Sequence, residues 1–212
     1  MNDSNLLGTR IRAATDSDTE PIVHLLADAF HAGPFADWLV PDETTRRTVY
    51  RDYFAIWVHY TLRHGIVHVT DDLTGAALWH PRTEPIPDPV AYDERLAVAC
   101  GPWLDRFIVL EDAFADIHPA WPHHYLAFLG VSPHRQNAGI GSRLMRHHHA
   151  TLTVTGTPAY LEASNPRNRD FYLRHGYHSP GQIQLPDHGP PFWPMYRDPV
   201  PHRNGDSGGD RR

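Results

Sequence analysis

The stretch Tyr125–Met145, YLAFLGVSPHRQNAGIGSRLM, constrains this chain more than any other. Tyr125 to Val131 is an apolar run of buried-strand length, and Ser132-Pro133 breaks it. Gln136-Asn137-Ala138-Gly139-Ile140-Gly141-Ser142 then turns directly into a helical pattern. A strand, a tight loop and a helix start make an anion site. The first helical N–H groups lack intrahelical partners, and the helix macrodipole is positive there. The glycines let the backbone approach a phosphate closely. No Gly-Lys-Ser/Thr follows, which excludes a Walker loop. The three-glycine dinucleotide spacing is also missing. On the glycines alone, an ordinary strand-turn-helix explains the stretch equally well.

The rest of the chain narrows the class. Its 212 residues suit one domain plus tails, and 41% hydrophobic residues suffice for a sizeable core. A net charge of −6 argues against a nucleic-acid binder, although the 17 histidines make that charge pH-dependent. The single Cys100 excludes an internal disulfide framework and reads as a small core residue. With no signal peptide and no membrane-spanning run, a cytoplasmic protein without a membrane partner is the expectation. His147-His148-His149 invites a metal reading. Consecutive helix residues diverge too far to converge on one ion, so no metal is expected.

A second motif lies downstream. Tyr160-Leu161-Glu162-Ala163-Ser164-Asn165-Pro166-Arg167-Asn168 leads into Phe171-Tyr172-Leu173-Arg174-His175-Gly176-Tyr177. Gln136-x-x-Gly139-x-Gly141 after a strand resembles the acetyl-CoA pyrophosphate loop of the GNAT N-acetyltransferases. The downstream segment resembles that family's fifth strand, following helix and FY-x-x-x-G ending. The likeness is dense over 125–178, diffuse over 10–124, and nearest to the puromycin N-acetyltransferase type.

The resemblance implies an α/β GNAT fold. A mixed, mostly antiparallel sheet would have splayed fourth and fifth strands flanked by helices, as one domain over residues 1–198 with a disordered tail at 199–212. It implies acetyl-CoA as cosubstrate, held by Leu129, Gly130, Val131, Gln136, Asn137, Ala138, Gly139, Ile140, Gly141, Ser142, Asn168 and Tyr172. It also implies direct acetyl transfer to an amine. Phe30, Phe35 and Trp38 are the candidate acceptor-site residues, with core packing as their alternative role. Tyr172 matches the family's general acid. A phenol suits that role, because its reference pKa lies within about two units of a thiol's. Glu162 is the first candidate base, since strand alternation puts Tyr160, Glu162 and Ser164 on one face. His80, His124 and a water chain stay open. Asn137-Ala138 replaces the Gly and basic residue many members carry, which shifts phosphate binding onto backbone N–H groups. The expected partner is a small-molecule amine such as an aminonucleoside or aminoglycoside, taken up by a monomer or homodimer. A peptide acceptor and a catalytically silent CoA-binding module are the rivals.

Local patterns fill in the other elements. Arg10–Ala14 reads as a strand, and a helix follows from Asp16 with Ile22, Leu25, Leu26, Ala29 and Phe30 at helical spacing, stopping near Gly33-Pro34. Thr44–Arg63 reads as a helix, residues 65–80 as a hairpin, and 81–89 as a proline-rich loop. Tyr92–Cys100 and Leu104–Ile117 read as helices, the second carrying Phe107, Leu110, Glu111 and Phe114 on one stripe. Ile140, Leu144, His148 and Leu152 mark one face of the helix after the glycine loop.

Overall fold

A computed structural model describes residues 9–199. The strands are β1 (Ile11–Ala13), β2 (Ile66–Thr70), β3 (Gly75–Arg82), β4 (His123–Val131), β5 (Ala159–Ala163), β6 (Ile183–Gln184) and β7 (Pro191–Arg197). The helices are α1 (Thr19–Ala29), α2 (Pro34–Leu39), α3 (Glu43–His64), α4 (Tyr92–Cys100), α5 (Leu104–Ala115), α6 (Ile140–Thr155) and α7 (Pro166–Leu173). They surround one seven-stranded sheet of order β1-β2-β3-β4-β5-β7-β6, antiparallel except for the β4–β5 pair. The expected tail lies outside the described residues from residue 200 onward.

Apolar alternation in the strands builds a separate core on each side of the sheet. One core packs α1, α3, α4 and α5 against Ala76 and Leu78. The other packs α6 and α7 against Ala77, Trp79, Leu161 and Ala163. The expected α6 face, Ile140, Leu144, His148 and Leu152, is buried throughout. Asp42 caps α3 by accepting from the N–H groups of Thr44 and Thr45, satisfying donors that have no intrahelical acceptor.

Two local features depart from the sequence reading. The segment after Gly33 forms a short helix, α2, with Pro34 at its start, where a proline's missing N–H does no harm. Buried Arg46 fixes it in place, donating to the carbonyls of His31 and Val40 and pairing with Asp37 at 2.9 Å. His123 and His124 lie inside β4 rather than before it, paired with Arg82 and Pro81 of β3.

The β4–β5 relationship shapes the site. These strands pair at His124↔Ala159 and Tyr125↔Tyr160 and part beyond that point. A bulge coincides with the parting, because β3 pairs Trp79 with Leu126 and Leu78 with Phe128, skipping Ala127. The N–H of His124 donates to Pro158 on the β5 side, whereas that of Ser132 donates to Thr74 on the β3 side. Backbone alternation across the bulge therefore aims the Leu129 and Val131 N–H groups into the gap.

Candidate active site

A cleft of about 990 Å³ runs through the β4–β5 gap. Its phosphate end is the start of α6. Arg143 N–H is the first in the helix to bond back, to Gly139 O at 3.1 Å. The N–H groups of Ile140, Gly141 and Ser142 are thus left to face an anion. Gly139 has φ +77°, with open space where a Cβ would stand, and Asn137 adopts φ +64°. Asparagine tolerates that left-handed conformation, so the turn survives its departure from the family pattern. Cationic side chains stand near this turn. Arg167, at the start of α7, donates to Asn137 Oδ1, and both Arg167 and Arg135 line the cleft.

Most of the expected cosubstrate residues converge here. Leu129, Val131, Gln136, Asn137, Gly139, Ile140, Gly141, Ser142, Asn168 and Tyr172 all line the cleft. Gly130 and Ala138 are not in its wall. At Gly130 a Cβ would stand 2.7 Å from Leu26 Cδ2, so its role is close packing of β4 on α1. Asn165 caps α7 by accepting from Asn168 N–H, and Asn168 in turn donates to Ser164 Oγ at 3.1 Å.

Phe30 and Phe35 line the acceptor end of the cleft, beside Tyr53, Trp57, Tyr92 and Phe114. Trp38 does not. Its indole donates to Asp187 O at 3.4 Å and lies 5.9 Å from the Arg106 guanidinium, packing α2 against the loop before β7 and α5. Its expected acceptor role is therefore replaced by a structural one.

Glu162 occupies the centre. Strand alternation turns it with Tyr160 away from the Leu161–Ala163 core, and its side chain is 2% exposed. Glu162 Oε2 accepts from Tyr125 OH at 2.8 Å, while Oε1 is buried without a partner. Burial pushes its carboxyl up to about 7, only partly opposed by the Tyr125 hydrogen bond and the nearby Tyr160 hydroxyl. Tyr172 lines the same cleft from α7, and burial raises its phenol, so it is fully protonated at neutral pH.

Two histidines that line the same cleft have fixed tautomers. Thr61 Oγ1 donates to Trp57 O at 2.7 Å, so at 2.8 Å it accepts from His80 Nε2–H. His80 Nδ1 is then a bare acceptor, buried without a partner. His123 Nδ1 donates to Trp121 O at 2.7 Å, so its Nε2 accepts from His118 Nε2–H at 3.1 Å. His118 Nδ1 is the free acceptor, 4.0 Å from Glu162 Oε1. Burial holds both imidazoles neutral, lowering His80 to about 3 and His118 to about 4. His80 Nδ1, His118 Nδ1 and the Glu162 carboxylate offer acceptors to the N–H groups of an amine, with the unpartnered Tyr160 hydroxyl beside Glu162.

His80 was an open candidate in the sequence, and the structure keeps it in the cleft. It moves His124 to the opposite sheet face, where Nδ1 lies 3.0 Å from His148 Nε2. His118 and Tyr125 escaped sequence reasoning, because only the packing of the α5–β4 loop brings His118 to β5. Glu111 also lines the cleft. Its signal was visible as one acid within the apolar stripe of α5.

This fold is that of the GNAT acetyltransferases. Residues 103–179 match the family model of the acetyltransferase (GNAT) domain. A structure from Corynebacterium glutamicum, described as histone acetyltransferase HPA2 and related acetyltransferase, is 29% identical, covering 91% of this chain and 97% of its own, with TM-score 0.66. Arylalkylamine N-acetyltransferase 2 from Aedes aegypti is 12% identical over 90% and 99%, with TM-score 0.61. The ribosomal-protein-S18-alanine N-acetyltransferase from Escherichia coli is 15% identical over 92% and 97%, with TM-score 0.54. The last two share the fold alone. The chain carries a GNAT acetyltransferase domain and is an N-acetyltransferase, with the mixed sheet and parallel β4–β5 pair of that fold. Among the described residues, no helix is long and apolar enough to cross a membrane.

Proposed function

We propose that the protein moves the acetyl group of acetyl-CoA to a primary amine of a small molecule, by direct attack in a ternary complex. Glu162 acts as base and Tyr172 as acid. The observation that carries this reading is the bare, buried Oε1 of Glu162 in the wall of the cleft. Leaving a carboxylate oxygen buried without a hydrogen bond is costly, and an amine N–H would satisfy it.

The chemistry follows from these positions. An alkylammonium, with pKa about 10.4, must shed a proton before its nitrogen can attack. A base poised near 7 is suited to take it at neutral pH. As the nitrogen bonds to the thioester carbon, the carbonyl oxygen gains charge, and the Leu129 N–H aimed into the gap would stabilise it. The carbon–sulfur bond then breaks, and Tyr172 OH gives its proton to sulfur. Burial weakens a phenol as an acid. It equally raises the pKa of a thiolate emerging in the same apolar wall, so the transfer stays matched. The nitrogen loses two protons in all. One replaces the proton Tyr172 gave to sulfur, and the other leaves through Glu162. His118 supports an outlet for it, because it and Arg82 also line a second cavity of about 380 Å³ beyond the cleft.

The names of the structural neighbours span arylalkylamines and a ribosomal-protein alanine, so they do not choose an acceptor. The aromatic wall favours a small molecule with an apolar body over a peptide. Within that class, aminonucleosides and aminoglycosides are both candidates. A silent CoA-binding role would give Glu162 no reason to keep a bare oxygen. The test is acetyl-CoA-dependent thiol release across amines and N-terminal peptides, with Glu162→Gln and Tyr172→Phe alongside. Turnover of small amines that falls in both variants supports the reading. Turnover of peptides alone, or turnover indifferent to Glu162→Gln, overturns it.

A further inference from the structure

Glu111 is a second carboxylate in the cleft, half-buried, and the transfer chemistry above does not use it. It projects from the apolar stripe of α5 formed with Phe107, Leu110 and Phe114. Its Oε1 accepts from Tyr53 OH on α3 at 3.4 Å and from Tyr92 OH on α4. Among the described residues, no protein donor reaches Oε2. The chain contains no lysine, and no described arginine pairs with Glu111. The charged neighbours that act on it, Asp112 and Asp93, are acids, and burial raises its carboxyl. A carboxylate in an aromatic-walled cavity without a counter-ion is unfavourable in the empty protein.

The surroundings match a ligand cation. The Trp57 ring packs on Tyr92 at 5.3 Å and lines the cleft, so π-faces and phenol oxygens surround the acid. An ammonium or guanidinium there gains an ion pair, hydrogen bonds and cation–π attraction in a desolvated setting. Tyr53 also lies beside Phe128 of β4, placing this subsite on the same sheet face as Glu162.

We propose that the cleft is built for a dibasic acceptor. One amine is acetylated at Glu162, and a second cationic group, ammonium or guanidinium, is anchored by Glu111 between Tyr53, Tyr92 and Trp57. The proposal rests on the acetyl-transfer reading for its first amine and specifies what the far end of the acceptor carries.

The test uses a series of α,ω-diaminoalkanes against n-alkylamines of equal length, with wild type and Glu111→Gln, an exchange that keeps the acceptor for both tyrosines. Calorimetric binding in the presence of CoA is read beside turnover, so anchoring is measured whether or not acetylation occurs. Wild type should bind one diamine length about tenfold or more tighter than its monoamine. Glu111→Gln should erase that preference, mainly through a raised KM for the diamine. Equal affinity for diamine and monoamine in wild type, or equal losses for both in Glu111→Gln, would overturn the proposal. Preferential diamine binding without turnover would instead count against the transfer reading and leave the anchor standing.

Discussion

The two faces of strands β3 and β4 carry the same kind of side chain to opposite ends. On the α6 face, His68 Nε2 meets His148 Nδ1 at 3.1 Å, and His148 Nε2 meets His124 Nδ1 at 3.0 Å. Both nitrogens of His148 are partnered, and its ring stacks on Trp79 with centroids 4.0 Å apart. On the opposite face, His80 and His118 each have one partnered nitrogen and one bare one, in the cleft that Glu162 also lines. His68 Nδ1 is also unpartnered, but His68 lines neither cavity. The difference teaches that burial of a polar group does not reveal its role until its partners are counted. Bonded at both nitrogens, an imidazole ties elements together. Bonded at one and facing a cavity, it presents an acceptor in a fixed tautomer.

The largest effect separating the faces is expected at Glu162. Glu162→Gln should lower kcat/KM by about 10²–10⁴-fold, the range of a lost general base. The same variant should gain stability at alkaline pH, measured as Tm. Folding raises this carboxyl to about 7, so the folded state binds more protons between its ordinary range and 7. Wild-type stability therefore falls as pH rises through that window, and the amide removes the slope. Next comes Tyr172→Phe, expected to cost about 10²-fold in kcat with KM little changed, since proton delivery to sulfur belongs to the transition state.

A smaller effect is expected at the phosphate end. Gly139→Val forces a branched residue into φ +77°, costing about 1–2 kcal/mol. The expected result is roughly tenfold weaker acetyl-CoA binding by calorimetry, with kcat retained at saturation. The smallest effect on catalysis is expected on the α6 face. His148→Leu should leave the pH–rate profile unchanged but alter stability. Burial lowers His148 to about 2 and His68 to about 4, so the unfolded chain binds more protons below about 6.5. Stability is full above that pH and is lost as pH falls. Tm measured at pH 7 and pH 5 should drop less in His148→Leu than in wild type. A changed rate profile in this variant would break the contrast between the faces.

What the sequence made legible was local. The apolar run, the glycine turn and the α6 stripe depend on neighbours a few residues apart, and they reappear as β4, the left-handed turn and α6. Strand alternation likewise put Glu162 on the side of β5 that lines the cleft. The same alternation sends His123 and His124 to opposite faces, a split that required placing both inside the strand. Trp38 and Gly130 lie outside the cleft wall, because what they pack on, the loop before β7 and helix α1, lies far away in sequence. The bulge at Ala127 left no composition signal, yet it decides which N–H groups enter the gap. His118 reaches the cleft only because the α5–β4 loop packs against β5, bringing it to Glu162 from far away in sequence.

The central claim is that one buried carboxylate takes the acceptor's proton. The most direct test is the pH dependence of single-turnover acetyl transfer in wild type and Glu162→Gln at saturating substrates. Wild type should show a rise with its midpoint near 7, where this carboxyl ionises, and the variant should lack that step. A rise with the same midpoint surviving in Glu162→Gln would contradict the account and assign the proton to another group.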